Sequence, residues 1–172
     1  MFKTLCLLSL ISFSACAQGT TKVKTSNTTK MEQKENPYYK PNQKDTIVVP
    51  DSEWQKILSP EIYRVAREKG TERPFTSPFE ESKEVGTYHC AVCGNSLFKS
   101  NAKFSSGCGW PSFFEPITKS AIIYTPDNTH GMQRTEVQCG KCKSHLGHVF
   151  EDGPPPTGLR YCINGVVLTI EK

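Results

Sequence analysis

The sequence predicts a mainly β domain, small and rich in loops, entered through short helices. Three observations predict it. Hydrophobic residues make up 36% of the 172, and Gly and Pro number 12 each, a composition suited to many turns around a small core. From residue 85 onward, short runs rich in Val, Ile, Tyr and Phe alternate with turn residues. Two Cys-x-x-Cys-type turns, Cys90-Ala-Val-Cys93 and Cys139-Gly-Lys-Cys142, offer a metal staple for such a core.

The elements follow in order. Residues 1–17 read as a secretory signal: Lys3 is the positive start, and Thr4 to Phe13 is an apolar stretch too short for an ordinary span. Two cuts are open at its end. Phe13-Ser14-Ala15-Cys16 resembles a bacterial lipoprotein box, which would put a lipid on Cys16 and anchor the chain to a membrane facing the periplasm. Ala15-Cys16-Ala17 instead suits ordinary cleavage and a soluble periplasmic product. Residues 18–45 are Thr, Lys, Asn, Gln and Ser with few apolar side chains, too little to offset ordering entropy, and read as a flexible tether. The folded domain spans residues 46–172. No other apolar run approaches membrane length, which excludes an internal membrane-spanning helix.

Within the domain, Asp51 or Ser52 is suited to cap a short helix running to Leu58. Ser59-Pro60-Glu61 opens a second, with Ser at the N-cap and Pro in the first turn, ending by Gly70. Strands are expected at residues 85–90, 121–124, 134–139, 148–150, 160–163 and 166–170. The Gly-rich stretch Ser106 to Phe113 is expected to be an exposed turn.

Charge weighs against one class of function. Residues 1–45 carry seven Lys and three acids, the whole of the formal +4; residues 46–172 carry 14 charges of each sign. A neutral domain lacks the bulk basic footprint of a nucleic-acid binder.

Eight cysteines remain to be explained. Cys6 and Cys16 belong to the signal. Cys90, Cys93, Cys139 and Cys142 form two knuckles in which thiolates at i and i+3 share one ion, and four sulfurs with no open position describe structural zinc. Gly94 and Gly140 suit the tight backbone. Thioredoxin-like redox pairs and exported disulfides are the competing readings. Cys108 and Cys162 are left over, either as a structural disulfide or as an attacking thiolate with a resolving thiol. His145-Leu146-Gly147-His148 follows the second knuckle. On a regular strand the two imidazoles would face opposite sides; a turn at Gly147 would bring both to one pocket for acid–base work. From the residues alone, catalysis and a structural role stand level.

Together these pieces resemble the B-type methionine sulfoxide reductases, the family acting on the R epimer. The resemblance rests on Cys90-x-x-Cys93, Ser106-Gly-Cys-Gly-Trp-Pro-Ser-Phe113, His130-Gly-Met-Gln-Arg134, Cys139-Gly-x-Cys142-x-x-His145-Leu-Gly-His148-Val-Phe150, Asp152-Gly-Pro154 and Arg160-Tyr-Cys-Ile-Asn164, with the segments around Trp54 and Thr71-Glu-Arg-Pro-Phe75. It implies two antiparallel sheets with short N-terminal helices, and one zinc on Cys90, Cys93, Cys139 and Cys142 away from the catalytic pocket. It implies Cys162 as nucleophile and Cys108 as resolving cysteine, with His145, His148 and Asn164 lining the pocket. Trp110 would hold the substrate's S-methyl group, and Arg160 and Asp152 would shape the site. The substrate would be methionine R-sulfoxide, free or in oxidised proteins, and the reductant a thioredoxin-like dithiol. Gly165-Val166-Val167 departs from the small residues usual there, which suggests altered packing of the last strand. Two other classes stay open. A zinc-ribbon binding module would need a basic patch and has no use for Cys108 and Cys162. A different thiol enzyme would not share the specificity for the R epimer.

Overall fold

The computed structural model describes residues 36–41 and 44–172. The signal, Cys6, Cys16 and residues 18–35 of the expected tether lie outside the described residues. The tether ends sooner than its composition implied. Asn36 is buried and donates its side-chain amide to the Val92 carbonyl at 2.8 Å, and the Tyr38 ring meets the edge of Trp54 at 5.2 Å.

Helix α1 is Asp51–Ile57 and α2 is Pro60–Ala66. In α2 the expected cap is present: Ser59 Oγ accepts from the Ile62 N–H at 3.3 Å, and Ile62, Val65 and Ala66 are buried. In α1 the expected cap is not. Pro50 holds the N-cap position with no side-chain bond, and Asp51, inside the first turn, instead accepts from Arg67 Nε at 2.7 Å. None of the helices among the described residues is long and apolar enough to cross a membrane.

Nine strands follow: β1 Thr87–Cys90, β2 Ser96–Lys99, β3 Lys103–Phe104, β4 Ser112–Phe113, β5 Ile122–Asp127, β6 Arg134–Cys139, β7 His145–Phe150, β8 Arg160–Ile163 and β9 Leu168–Glu171. They form two antiparallel sheets, β2-β1-β9 and β3-β4-β8-β7-β6-β5. The mainly β fold with two sheets and short leading helices is the one the sequence predicted. Strands β2, β3 and β4 were not foreseen, and β4 corrects the expectation of a wholly exposed turn through Phe113. Ser112 and Phe113 are buried in a strand, and Cys108 is half-buried. Gly165–Val167 also leaves the expected last strand. It forms a tight 3-10 turn before β9 begins at Leu168.

Aromatic side chains join the sheets. Phe98 of β2 stacks on Phe113 of β4 at 4.4 Å, Tyr88 of β1 meets Phe113 at 5.0 Å, and Tyr161 of β8 lies 5.8 Å from Phe98. Rings of this size supply much of the apolar area such a small core can remove from water. Trp54, 1% exposed, extends the core under the helices.

Strand alternation then divides β8. Tyr161 and Ile163 are buried in the core, and Arg160 and Cys162 occupy the other face. Cys162 is paired with Ser112 of β4 on one side and His148 of β7 on the other. Close contact with β7 depends on Gly147, because a Cβ there would collide with the carbonyl oxygen of Cys162. Gly147→Ala is therefore expected to lower stability by about 1–3 kcal/mol and to disturb Cys162, read as a lower urea midpoint with an unchanged slope.

Candidate active site and metal centre

The two histidines reach one face by a bulge. Opposite β6, His148 pairs with Glu136, Gly147 with Val137, and His145 with Gln138, so Leu146 is an extra residue with no partner. One inserted residue reverses the alternation. His145 and His148, three apart in sequence, thereby come to 5.5 Å between ring centroids, edge to face. The expectation of a turn at Gly147 is corrected to a bulge at Leu146 within a continuous strand.

Each imidazole has its own carboxylate. His148 Nε2–H donates to Asp127 Oδ2 at 2.7 Å, and Arg134 donates to the same oxygen at 2.6 Å. Asp127 Oδ1 accepts from the hydroxyl and the backbone N–H of Thr129. The Thr129 bonds, with His148 and Arg134, hold the Asp127 carboxyl well below the usual range. His145 Nδ1–H donates to Glu136 Oε1 at 2.8 Å, and Lys69 Nζ reaches Glu136 Oε2 at 2.8 Å. Burial opposes the charge on Glu136, but the bonds from Lys69 and His145 outweigh it and keep the carboxyl ionised. Burial lowers the His145 pKa despite Glu136, so His145 is neutral near pH 7. Asp127, Glu136 and Lys69 were not singled out in the sequence. Glu136 follows Thr135 just past the His130–Arg134 motif, and only the register of β6 against β7 reveals its partner.

The two leftover cysteines meet. Cys108 Sγ and Cys162 Sγ are 3.5 Å apart, both free and half-buried. Cys108 lies between Gly107 and Gly109, both at positive φ, and its sulfur accepts from Ser106 Oγ at 3.0 Å and lies 3.5 Å from Ser112 Oγ. Burial raises the Cys108 pKa, but the Ser106, Ser112, Trp110 and Cys162 contacts together bring it below its ordinary value. The Cys162 thiol goes the other way. Burial, then the neighbouring Cys108, push it up to about 12, against a smaller opposing pull from Arg160. The first negative charge of the pair is thus favoured on Cys108.

Arg160 is fixed by a two-pronged bond to Asp152, 2.8 Å at each oxygen, and stacks over Phe150 at 4.5 Å. Trp110 is half-buried beside Cys108, its indole N–H buried without a partner among the described residues. Asn164 is buried and its amide is engaged at both ends. Its Oδ1 accepts from Thr71 Oγ1 and from the Glu72 N–H, both at 3.0 Å, and its Nδ2 donates to the Leu146 carbonyl at 3.0 Å.

A second cluster unites Cys90, Cys93, Cys139 and Cys142. Their sulfurs lie within 4.8 Å of one another, with Cys90–Cys142 at 3.8 Å and Cys93–Cys139 at 3.6 Å. A tetrahedral ion with metal–sulfur bonds of ~2.3 Å requires sulfur separations of ~3.8 Å, so the cluster fits a four-coordinate metal. Asn95 Nδ2 lies 3.5 Å from Cys139 Sγ, a donor suited to a thiolate. The knuckles close alike, Gly94 N–H on the Cys90 carbonyl and Lys143 N–H on the Cys139 carbonyl. The left-handed residues are Gly94 and Lys143, at φ +76° and +58°. Gly140 is therefore not needed for the turn itself; a side chain there would strike the Ser120 carbonyl.

Comparison with known proteins follows the same residues. A family profile described as the SelR domain matches residues 58–172. The chain is 64% identical over 116 residues to a peptide methionine sulfoxide reductase MsrB of Pseudomonas putida, covering 67% of this chain and 87% of that relative. It is 57% identical over 121 residues to the protein of that name in Agrobacterium fabrum, with 70% and 90% covered. A further relative of that name, in Acinetobacter baumannii, is 58% identical over 121 residues, with 70% and 87% covered.

The sulfur pair carries a pH prediction. Replacing Cys108 by Ser removes the neighbouring charge that helps hold the Cys162 thiol at about 12. The Cys162 ionisation then moves to lower pH, and its alkylation by iodoacetamide, followed by peptide mass spectrometry from pH 6 to 10, rises at lower pH than in the unaltered chain.

Proposed function

Since the chain belongs to the SelR-domain family, the B-type methionine sulfoxide reductases, we propose that Cys162, Cys108 and His148 are the groups with which it carries out that family's reaction. The chain is a peptide-methionine (R)-S-oxide reductase. The observation that supports the residue assignment is the 3.5 Å approach of two free sulfurs, with one of them paired across the strands with His148.

Cys162 attacks the sulfoxide sulfur as a thiolate, its proton passing to the neighbouring Cys108 sulfur, on which the first negative charge lies. Arg160, held charged by Asp152, is the cation that favours this ionisation. The sulfoxide oxygen must gain a proton before the sulfur–oxygen bond breaks. His148 is the better donor of the two imidazoles: it is only part-buried, is paired across the strands with Cys162, and its Nε2 is held by the Asp127 carboxylate. His145, neutral and 5% exposed, supports the His148 ring from the side. Attack joins the Cys162 sulfur to the methionine sulfur and the protonated oxygen leaves as water. A water then attacks the Cys162 sulfur, the sulfur–sulfur bond breaks, and methionine departs with its electron pair. The methionine sulfur has gained two electrons, and Cys162, having lost two, is left as a sulfenic acid. The Cys108 sulfur then attacks the Cys162 sulfur, a sulfur–sulfur bond forms and water departs. A thioredoxin-like dithiol returns the pair to thiols by exchange. Trp110 offers its half-buried indole to the S-methyl group of methionine R-sulfoxide, free or within a protein.

The four-sulfur cluster we assign to one structural zinc. When bound, it supplies a closed tetrahedral link between the β1–β2 turn and the β6–β7 turn, metal-linked folding energy on the order of 10 kcal/mol. From the sequence of residues 1–17 we further propose export, with Cys16 as the lipid-bearing first residue; mass spectrometry of the mature N-terminus distinguishes this from cleavage after Ala17.

An assay of both sulfoxide epimers with dithiothreitol tests the central reading. Methionine should form from the R epimer only. Cys162→Ser should form none, and His148→Asn should be slower by about 100-fold or more. Cys108→Ser should complete one turnover and fail to cycle with a thioredoxin-like donor. Cycling at the unaltered rate in Cys108→Ser would sink the resolving role. Metal analysis should find one zinc per chain, and Cys93→Ala should lose both the metal and the cooperative thermal transition.

A further inference from the structure

Glu72 lies outside the thiol–histidine cluster, yet it grips the chain just beyond Cys162. Its side chain is 6% exposed. Oε1 accepts from the Gly165 N–H at 2.6 Å and Oε2 from the Val166 N–H at 2.9 Å. Its backbone N–H donates to Asn164 Oδ1, which also takes the Thr71 hydroxyl. Asn164 in turn donates both its backbone N–H and its Nδ2 to the Leu146 carbonyl, beside the bulge that aligns the two histidines. Gly165 fits this arrangement because a Cβ there would overlap the Ser77 side chain. One carboxylate and one amide therefore bind, in series, the chain entering α2's exit loop, the end of β8 and the bulge of β7.

Two sulfurs 3.5 Å apart must close by about 1.5 Å to form a disulfide, by movement of one side chain or of the segment that carries it. On the Cys162 side, β8 lies between two strands and its end is tied by these bonds. On the Cys108 side lies a bend between two glycines at positive φ. We propose that Glu72, acting with Asn164, is a positioning residue that fixes the Cys162 strand for attack and assigns the closing movement to the Cys108 bend. This rests on the reductase reading given above.

Buried carboxylates of this kind also cap turns for stability alone, so the test separates the two roles. The full chain and its Glu72→Gln, Thr71→Val and Ser59→Ala variants are compared at a temperature well below each thermal midpoint. Single turnovers on methionine R-sulfoxide give the rate of methionine release, steady-state assays with dithiothreitol give KM, and alkylation trapping gives the rate of disulfide closure. Gln keeps the size of Glu72 but turns an N–H₂ toward a backbone N–H. It should slow methionine release by about tenfold or more, with KM within about twofold. Thr71→Val should slow it several-fold, and Ser59→Ala, which loses only the α2 cap, should leave the rate unchanged. Methionine release at the unaltered rate in Glu72→Gln, or an equal loss in Ser59→Ala, overturns the positioning role. If Glu72→Gln does not fold, Thr71→Val decides alone: a slower release at an unchanged thermal midpoint supports the proposal, and an unaltered rate overturns it. An unaltered chain that releases no methionine overturns the reductase reading and the proposal with it.

Discussion

The arrangement depends on one short strand with a neighbour on each side. β8 is four residues long, and its alternation sends Tyr161 and Ile163 into the aromatic core while Arg160 and Cys162 face outward. Core packing thereby fixes the orientation of the reactive sulfur: β8 cannot rotate without exposing two buried side chains. Pairing with β4 and β7 then sets what lies beside that sulfur. Ser112 stands on one side and His148 on the other, and a side-chain-free residue at 147 lets β7 lie close. The catalytic geometry is therefore a consequence of folding rather than an addition to it.

Burial sorts groups that look alike in sequence. Both histidines lie on β7 and both hold a carboxylate, yet they bind it through opposite ring nitrogens, Nδ1 in His145 and Nε2 in His148. Burial lowers the pKa of the deeper ring, and the shallower one faces a carboxylate tied by Thr129 and Arg134. The two cysteines show the same division. A shared position would give them similar acidities, but Ser106 and Ser112 surround Cys108, and desolvation dominates at Cys162. In each pair, local environment assigns the role that residue type leaves open.

Much of this was legible in the sequence, and the rest was hidden for identifiable reasons. The paired Cys-x-x-Cys turns led directly to a four-sulfur cluster, because four ligands in two tight loops have few ways to meet. The leftover Cys108 and Cys162 were visible by exclusion, and their apposition spans a sequence separation of 54 along a path no local pattern encodes. The bulge at Leu146 was invisible because it exists only relative to β6. Asp127 and Glu136 looked like ordinary charged residues on half-exposed strands until register set them beside imidazoles. Strands β3 and β4, two residues each, are too short to show any periodicity. At the second knuckle the glycine was given the wrong task, since Lys143 adopts the left-handed conformation and Gly140 instead makes room for a neighbouring carbonyl.

The segment leading into the domain has a mechanical side. Asn36 binds the Val92 carbonyl, Lys40 N–H the Cys93 carbonyl and Ile47 N–H the Lys141 carbonyl, so the entering chain is stitched to both sulfur knuckles before it reaches α1. A pull on the chain from its N-terminal side is thus borne first by the turns that carry the four sulfurs. The first knuckle belongs to the three-stranded sheet and the second to the sheet that holds Cys162, so the four sulfurs couple the entering chain to both sheets.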